Sequence, residues 1–206
     1  MLPKIKVDVL QQAQAGFYNG LFAGTSGNLS ARDFDSGHIV ITPTSIRYET
    51  MTTDDLVVLD LDGNIVAGKH KPSSEAPLHL EVYRRNPEVG AVVHTHSPFA
   101  TGFAAGRREI PLILTEMIPF LGGAVICLPP RAPGSVELAE ETAAALVDRP
   151  VCLIGHHGVM AVGKDLAEAY IRAEYVEDAA KVATYAIMQG GYATLPEDLV
   201  REIRGE

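Results

Sequence analysis

Apolar residues Ile5, Val9, Leu10, Ala13 and Phe17 recur every three or four positions over residues 3–18, and Gly20 and Gly24 follow as breaks. That spacing predicts an amphipathic first helix. The period then changes to two. "NLSARD" (28–33), "HIVITP" (38–43), "LVVLDL" (56–61) and "NIVAG" (64–68) alternate or run apolar between the turn sequences "DSG" and "LDGN", which predicts antiparallel strands joined by hairpins. From Ser74 to Arg85 the pattern is helical again, with Ser73 or Ser74 placed to cap the helix and Glu75 in its first turn. "AVVHTH" (91–96) reads as a strand, and residues 98–106 as a short helix ending near Gly106. "GAVICLP" (123–129) and "PVCLIG" (150–155) read as buried strands. Ser135, followed by Glu137, Glu140 and Glu141, opens a helix in the sense the macrodipole favours. Asp165 and Glu168 form an N-terminal pair ahead of a long stripe through Leu166, Ala169, Tyr170, Ala173, Val176, Ala180 and Ala183, which Gly190 and Gly191 end. A last short helix over residues 196–204 closes the chain.

Helices and strands therefore alternate without an internal repeat, a low-complexity tract or a Gly/Ser linker. A chain of 206 residues is long enough for one sizeable core, so a single α/β domain spanning 1–206 is expected. With 47% apolar and 21% charged residues the composition is that of a globular protein. A net charge of −9 argues against nucleic acid and anionic membrane as partners, because both demand a basic footprint. Cys127 and Cys152 lie in apolar runs and read as buried free thiols. The N-terminus lacks the pattern of a signal peptide and no apolar run reaches the length of a membrane span, so the cytoplasm is the expected compartment.

The chemistry begins with "AVVHTH". Side chains at i and i+2 of a strand point the same way, so His94 and His96 present two imidazoles on one face, about 7 Å apart along the backbone. A lone histidine in such a run is ordinarily a satisfied core residue. Two on one face suit a shared metal ion. "CLIGHHGVM" supplies a third imidazole from His156 or His157, with Gly155 and Gly158 allowing a sharp bend on either side. Three neutral imidazoles with an open fourth position are the ligand set of a catalytic zinc site. His38 and His70 read as surface residues of a hairpin and a loop, and His79 as a helix-face residue. A second pattern is polar: "GTSGN" (24–28), "TPTS" (42–45) and the serines ahead of Glu75 are rich in hydroxyls and free N–H groups. Together three such loops can cradle a phosphate without a lysine.

In their order along the chain, "GTSGNLSAR", "ITPTSI", "KPSSE", "AVVHTHSPFA" and "LIGHHGVMAVGKDLAEAY" resemble the class II aldolase/adducin-head family, over about residues 7 to 190. The resemblance implies a three-layer sandwich, a largely antiparallel central sheet with helices on both faces, assembled as a homotetramer with sites between subunits. It implies His94, His96 and His157 as zinc ligands, with manganese, cobalt or iron as substitutes such a site accepts. It gives Glu75 the role of acid/base beside the metal. Thr25, Gly27, Asn28, Thr44, Ser45, Ser73 and Ser74 match positions that hold the substrate phosphate. The implied reaction is cleavage of a phosphorylated ketose such as L-fuculose 1-phosphate to dihydroxyacetone phosphate and an aldehyde, through a zinc-stabilised enediolate. The family's epimerase branch has aspartate where this chain has Glu75, which favours aldolase chemistry over the alternatives, a dehydratase or 4-epimerase on a related sugar phosphate. The family also includes a non-catalytic scaffold, the adducin head. Two departures stand out. Where the family's aldolase uses a tyrosine from the neighbouring subunit, this chain has Thr115 and Glu116, which makes Glu116 the candidate second acid/base; and the C-terminal "PEDLVREIRGE" carries no aromatic residue.

Overall fold

A computed structural model describes residues 2–206. Its elements are α1 (Leu2–Tyr18), β1 (Asn28–Arg32), β2 (Ile39–Ile41), β3 (Val57–Leu59), β4 (Ile65–Ala67), α2 (Ala76–Arg85), β5 (Ala91–Thr95), α3 (Pro98–Ala105), α4 (Met117–Leu121), β6 (Cys127–Leu128), α5 (Val136–Ala145), β7 (Val151–Ile154), β8 (Gly158–Gly163), α6 (Leu166–Met188) and α7 (Glu197–Arg204). The strands form one eight-stranded sheet in the order β4-β3-β2-β1-β5-β8-β7-β6. Every described pairing is antiparallel except β6 with β7.

Period-two alternation sorts the central strands into two apolar faces. Leu29 and Ala31 of β1, Ala91 and Val93 of β5, and Val159 and Ala161 of β8 enter one core with residues of α1, α3, α4 and α6. Val92, Met160 and Val162 enter the other, with α2 and α5. Side chains such as Leu29, Val93 and Val159 are fully buried, each stabilising the fold by roughly 1.5–3 kcal/mol relative to an exposed side chain. The arrangement is the three-layer sandwich expected.

Where β1 begins and β5 ends the second face turns polar. Asn28 and Ser30 share it by period two, as do Val92 and His94, and the register sets Asn28 opposite His94 and Ser30 opposite Val92. α2 lies above this row. Ser135 caps α5 by accepting the Leu138 N–H at 3.1 Å, and Asp165 caps α6 by accepting the Glu168 N–H at 2.9 Å, both as the sequence suggests.

Four expectations need correction. Neither Ser73 nor Ser74 caps α2: Glu75 is the N-cap, and the Ser73 hydroxyl takes the Glu75 N–H two residues on, so the helix starts at Ala76. "GAVICLP" yields only Cys127–Leu128 as strand, because Val125 instead bridges Ile110 and Pro129–Pro130 ends the pairing. The segment Gly158–Gly163, unassigned by the pattern, is a fully buried strand whose two faces meet both cores, so it shows no alternation. Finally, Cys127 is only half-buried on the sheet edge, whereas Cys152 is buried.

Candidate metal centre

His94 is the penultimate residue of β5 and His96 follows the strand by one residue, so both project to the α2 side. Their Nε2 atoms stand 2.9 Å apart. The third imidazole arrives on the β7–β8 hairpin, whose last pair is Ile154 with Gly158. Within the turn the His157 N–H bonds the Ile154 carbonyl at 3.0 Å and His156 adopts a left-handed φ of 57°. That turn separates two adjacent histidines: His156 is exposed, while His157 is half-buried with its ring 4.8 Å from that of His94 and 5.0 Å from that of His96. Gly158 permits the approach. A Cβ there would run into the Thr95 carbonyl oxygen and sit 3.1 Å from His96 Cδ2 and 3.2 Å from His94 Cε1.

Glu75 comes down from the start of α2. Its Oε2 lies 3.2 Å from His94 Nε2 and its Oε1 lies 3.1 Å from His157 Nε2, and the residue is 8% exposed. Burial alone would raise the carboxyl, but His94 and His157 outweigh it and hold Glu75 well below the usual carboxylate range. His96 is pushed down to about 4 by burial and by the neighbouring His94 and His157, so its ring is neutral near pH 7.

This donor set fits a cation. His94 Nδ1 faces the Val159 carbonyl oxygen at 2.8 Å, and a carbonyl only accepts, so Nδ1 carries a proton and, in the neutral ring, Nε2 keeps a bare lone pair. That lone pair points at another imidazole nitrogen and a carboxylate oxygen. With His96 and His157 also presenting bare Nε2 atoms, these acceptors repel one another unless a positive charge sits between them. Glu75 Oε1 is buried without a hydrogen-bond partner, despite its proximity to His157. One ligand atom from each of Glu75, His94, His96 and His157 falls within 4.8 Å of the others. Donors that share an ion with nitrogens at about 2.0–2.1 Å stand about 3.3 Å apart, between the 2.9 Å that separates His94 and His96 and the 4.8 Å that bounds the whole group.

The three polar loops also come together. Thr44 N–H bonds the Lys71 carbonyl and Ser73 N–H the Thr42 carbonyl, both at 3.1 Å, which lays 42–45 beside 71–73. The Tyr48 hydroxyl donates to the Gly27 carbonyl at 2.7 Å and ties in the first loop. Gly27 has φ +74°, and a Cβ there would lie 2.8 Å from the His94 carbonyl oxygen, so this turn requires glycine. Thr25, Ser45 and Ser74 are exposed, Thr44 is half-buried and Ser73 is buried. Asn28 departs from the others. Its side chain faces inward, donating through Nδ2 to Glu75 Oε2 at 2.8 Å and meeting His79 Nε2 through Oδ1.

Glu116 precedes α4, half-buried, accepts a hydrogen bond from the Thr115 hydroxyl at 3.2 Å, and stands outside the histidine cluster of its own chain. His38 is half-buried and His70 pairs with Asp55 at 3.0 Å. His79 lies on a face of α2, as expected, and its partners are the larger finding. The helix face it occupies is the inner one: it is 0% exposed and bonded at both ring nitrogens, to Asn28 and to Ser30. The signal was present: Glu75, His79 and Tyr83 fall at i, i+4 and i+8 of one helix, above Asn28 and Ser30 at i and i+2 of one strand.

The sequence model of the family described as Class II Aldolase and Adducin N-terminal domain matches residues 8–184. The chain is 33% identical over 198 residues to the 5-deoxy-D-ribulose 1-phosphate aldolase of Bacillus thuringiensis serovar kurstaki, covering 96% of this chain and 92% of that one. A solved structure of an L-fuculose 1-phosphate aldolase superposes with a TM-score of 0.92 at 31% identity, covering 98% of this chain and 95% of the other. The L-fuculose-1-phosphate aldolase of Thermus thermophilus gives 0.81 at 29% identity, over 94% and 100%. Sequence and fold agree along nearly the whole length, and the chain belongs to the class II aldolase and adducin N-terminal domain family, as an aldolase and hence a lyase.

Proposed function

We propose that this lyase cleaves a short ketose 1-phosphate, of the kind named by its relatives' substrates 5-deoxy-D-ribulose 1-phosphate and L-fuculose 1-phosphate, to dihydroxyacetone phosphate and an aldehyde. The observation that carries the reading is the meeting of three imidazoles with one buried carboxylate beside hydroxyl-rich loops. His94, His96 and His157 would hold the ion, and zinc is the metal this neutral nitrogen set suits, with manganese, cobalt and iron as substitutes. When bound, a divalent ion supplies Lewis-acid stabilisation for negative charge developing on the ketose carbonyl oxygen.

The chain's own groups do the rest. Thr25, Gly27, Thr44, Ser45, Ser73 and Ser74 would take the phosphate through hydroxyls and N–H groups, with Asn28 acting from behind through Glu75. In the addition direction the ionised carboxylate of Glu75 removes a proton from C3 of dihydroxyacetone phosphate, the C3 electron pair forms the C3–C4 bond to the aldehyde carbon, and an acid protonates the C4 oxygen. Cleavage runs the same transfers in reverse. Glu116 of a second copy is the candidate for that acid, which requires sites between subunits; a cytoplasmic homotetramer is the working assembly of this reading.

The test is a panel of ketose 1-phosphates assayed for released dihydroxyacetone phosphate, with and without chelator. Two fragments from at least one panel member, lost on chelation, are expected. Products that keep the full carbon count would instead indicate a dehydratase or 4-epimerase, and purified protein without stoichiometric metal a scaffold. Mixing Glu75→Gln with Glu116→Gln chains tests the shared site: hybrid assemblies should regain activity that neither variant has alone.

A further inference from the structure

Beneath Glu75 runs a line of buried polar groups that the reaction does not touch. From Glu75 Oε2 it passes to Asn28 Nδ2 at 2.8 Å, from Asn28 Oδ1 to His79 Nε2 at 2.5 Å, from His79 Nδ1 to the Ser30 hydroxyl at 2.7 Å, and from Ser30 to the Tyr83 hydroxyl at 2.8 Å. Ser30 and His79 are 0% exposed, and Asn28 and Tyr83 are as good as sealed from solvent. Buried polar groups are costly unless each finds a partner, so a file of five in a row calls for a purpose.

Its direction is determined by chemistry. An ionised carboxylate only accepts, so Asn28 must turn its NH2 toward Glu75 and its carbonyl toward His79. That carbonyl also only accepts, so His79 must carry its proton on Nε2. Neutral His79 then accepts at Nδ1, which takes the one hydroxyl proton of Ser30, and Ser30 in turn accepts from Tyr83. Every donor in the file points toward Glu75. We propose that Tyr83, Ser30 and His79 set the sense of the Asn28 amide, and that Asn28 thereby fixes the orientation of the Glu75 carboxylate through Oε2; all four are positioning residues for the proton transfer.

Among the described residues, Asn28 is the only group other than a histidine of the cluster that bonds the Glu75 side chain. An amide rotated by half a turn would present oxygen to the carboxylate and repel it. His79 opposes that rotation while its Nε2 bears the proton, the tautomer the Ser30 hydroxyl supports when it donates to Nδ1 and accepts from Tyr83. Removing Ser30, two side chains away from Glu75, should therefore be felt at the active carboxylate.

The inference rests on the aldolase reading, and its test has an arm that does not. In metal-loaded enzyme, His79→Phe and Ser30→Ala should lower kcat at least tenfold and about fivefold, respectively, with KM and bound metal within twofold of wild type. His79→Gln, whose amide can still donate to Asn28, should recover most of the loss. Crystal structures of the two damaging variants should show the Asn28 amide and the Glu75 carboxylate rotated away from their wild-type positions. Unchanged kcat, a loss confined to KM or metal content, or Glu75 held in place in both variants overturns the proposal. Should His79→Phe fail to fold, Ser30→Ala decides it alone. If wild-type enzyme cleaves no ketose phosphate, the aldolase reading fails, while the crystallographic arm still decides the positioning claim.

Discussion

Acid should weaken this fold in a way traceable to one side chain. His79 is sealed between α2 and β1, and burial, helped by His94, pushes its pKa down to about 3 from an ordinary 6.5. Between those values the unfolded chain binds a proton at this residue that the folded chain refuses. Stability therefore rises with pH through the window: it is complete above about pH 6.5 and drains away as pH falls toward 3. At about 1.4 kcal/mol per pH unit, His79 removes about 2 kcal/mol by pH 5, and about 5 kcal/mol once pH reaches 3. Asp55 and Glu75 add acid sensitivity of their own, with folded-state pKa values also depressed, Asp55 chiefly by its hydrogen bonds from Thr52. Urea unfolding of chelator-treated wild type and His79→Gln, followed by circular dichroism at matched protein concentration from about pH 7.5 to pH 5, separates them. The variant, which cannot take up a proton at this position, should lose about 2 kcal/mol less than wild type over that range. Parallel pH dependences for the two proteins would refute the reasoning.

Three other outcomes follow from the same coordinates. Stripping metal from purified protein should lower its melting temperature, because an ion at a thousandfold excess over Kd contributes about 4 kcal/mol; calorimetry with and without chelator reads this, and identical curves would mean that no ion binds the folded state. His157→Ala, which removes a ligand at a half-buried turn, should leave secondary structure intact by circular dichroism while lowering metal per chain severalfold by elemental analysis. Gly158→Ala forces its methyl against the Thr95 carbonyl, His94 and His96, so denaturant unfolding should show a loss of about 1–3 kcal/mol together with at least tenfold weaker metal binding.

What the sequence disclosed follows from how far each signal reaches. Period two put His94 and His96 on one side because strand geometry leaves no other choice, and the helix caps at Ser135 and Asp165 were legible because they are local. The choice of His157 over His156 came from family likeness, since no pattern of residue types foretells which of two neighbours takes the left-handed backbone. β8 escaped notice because a strand buried on both faces has no polar side to mark it. His79 was left without a role for a related reason: a polar residue on a helix face gains one only when its polar partners on a distant strand, Asn28 and Ser30, are placed beneath it. Long-range pairing is the information a single sequence hides.

The bond from His94 Nδ1 to the Val159 backbone joins a side chain of one strand to the main chain of the next. His157 hangs from that same hairpin, so the ribbon cannot fray without loosening two imidazoles at once. Residence of a bound ion would thus be timed by local unfolding: amide protons of β8 and the captive metal should exchange on a common clock.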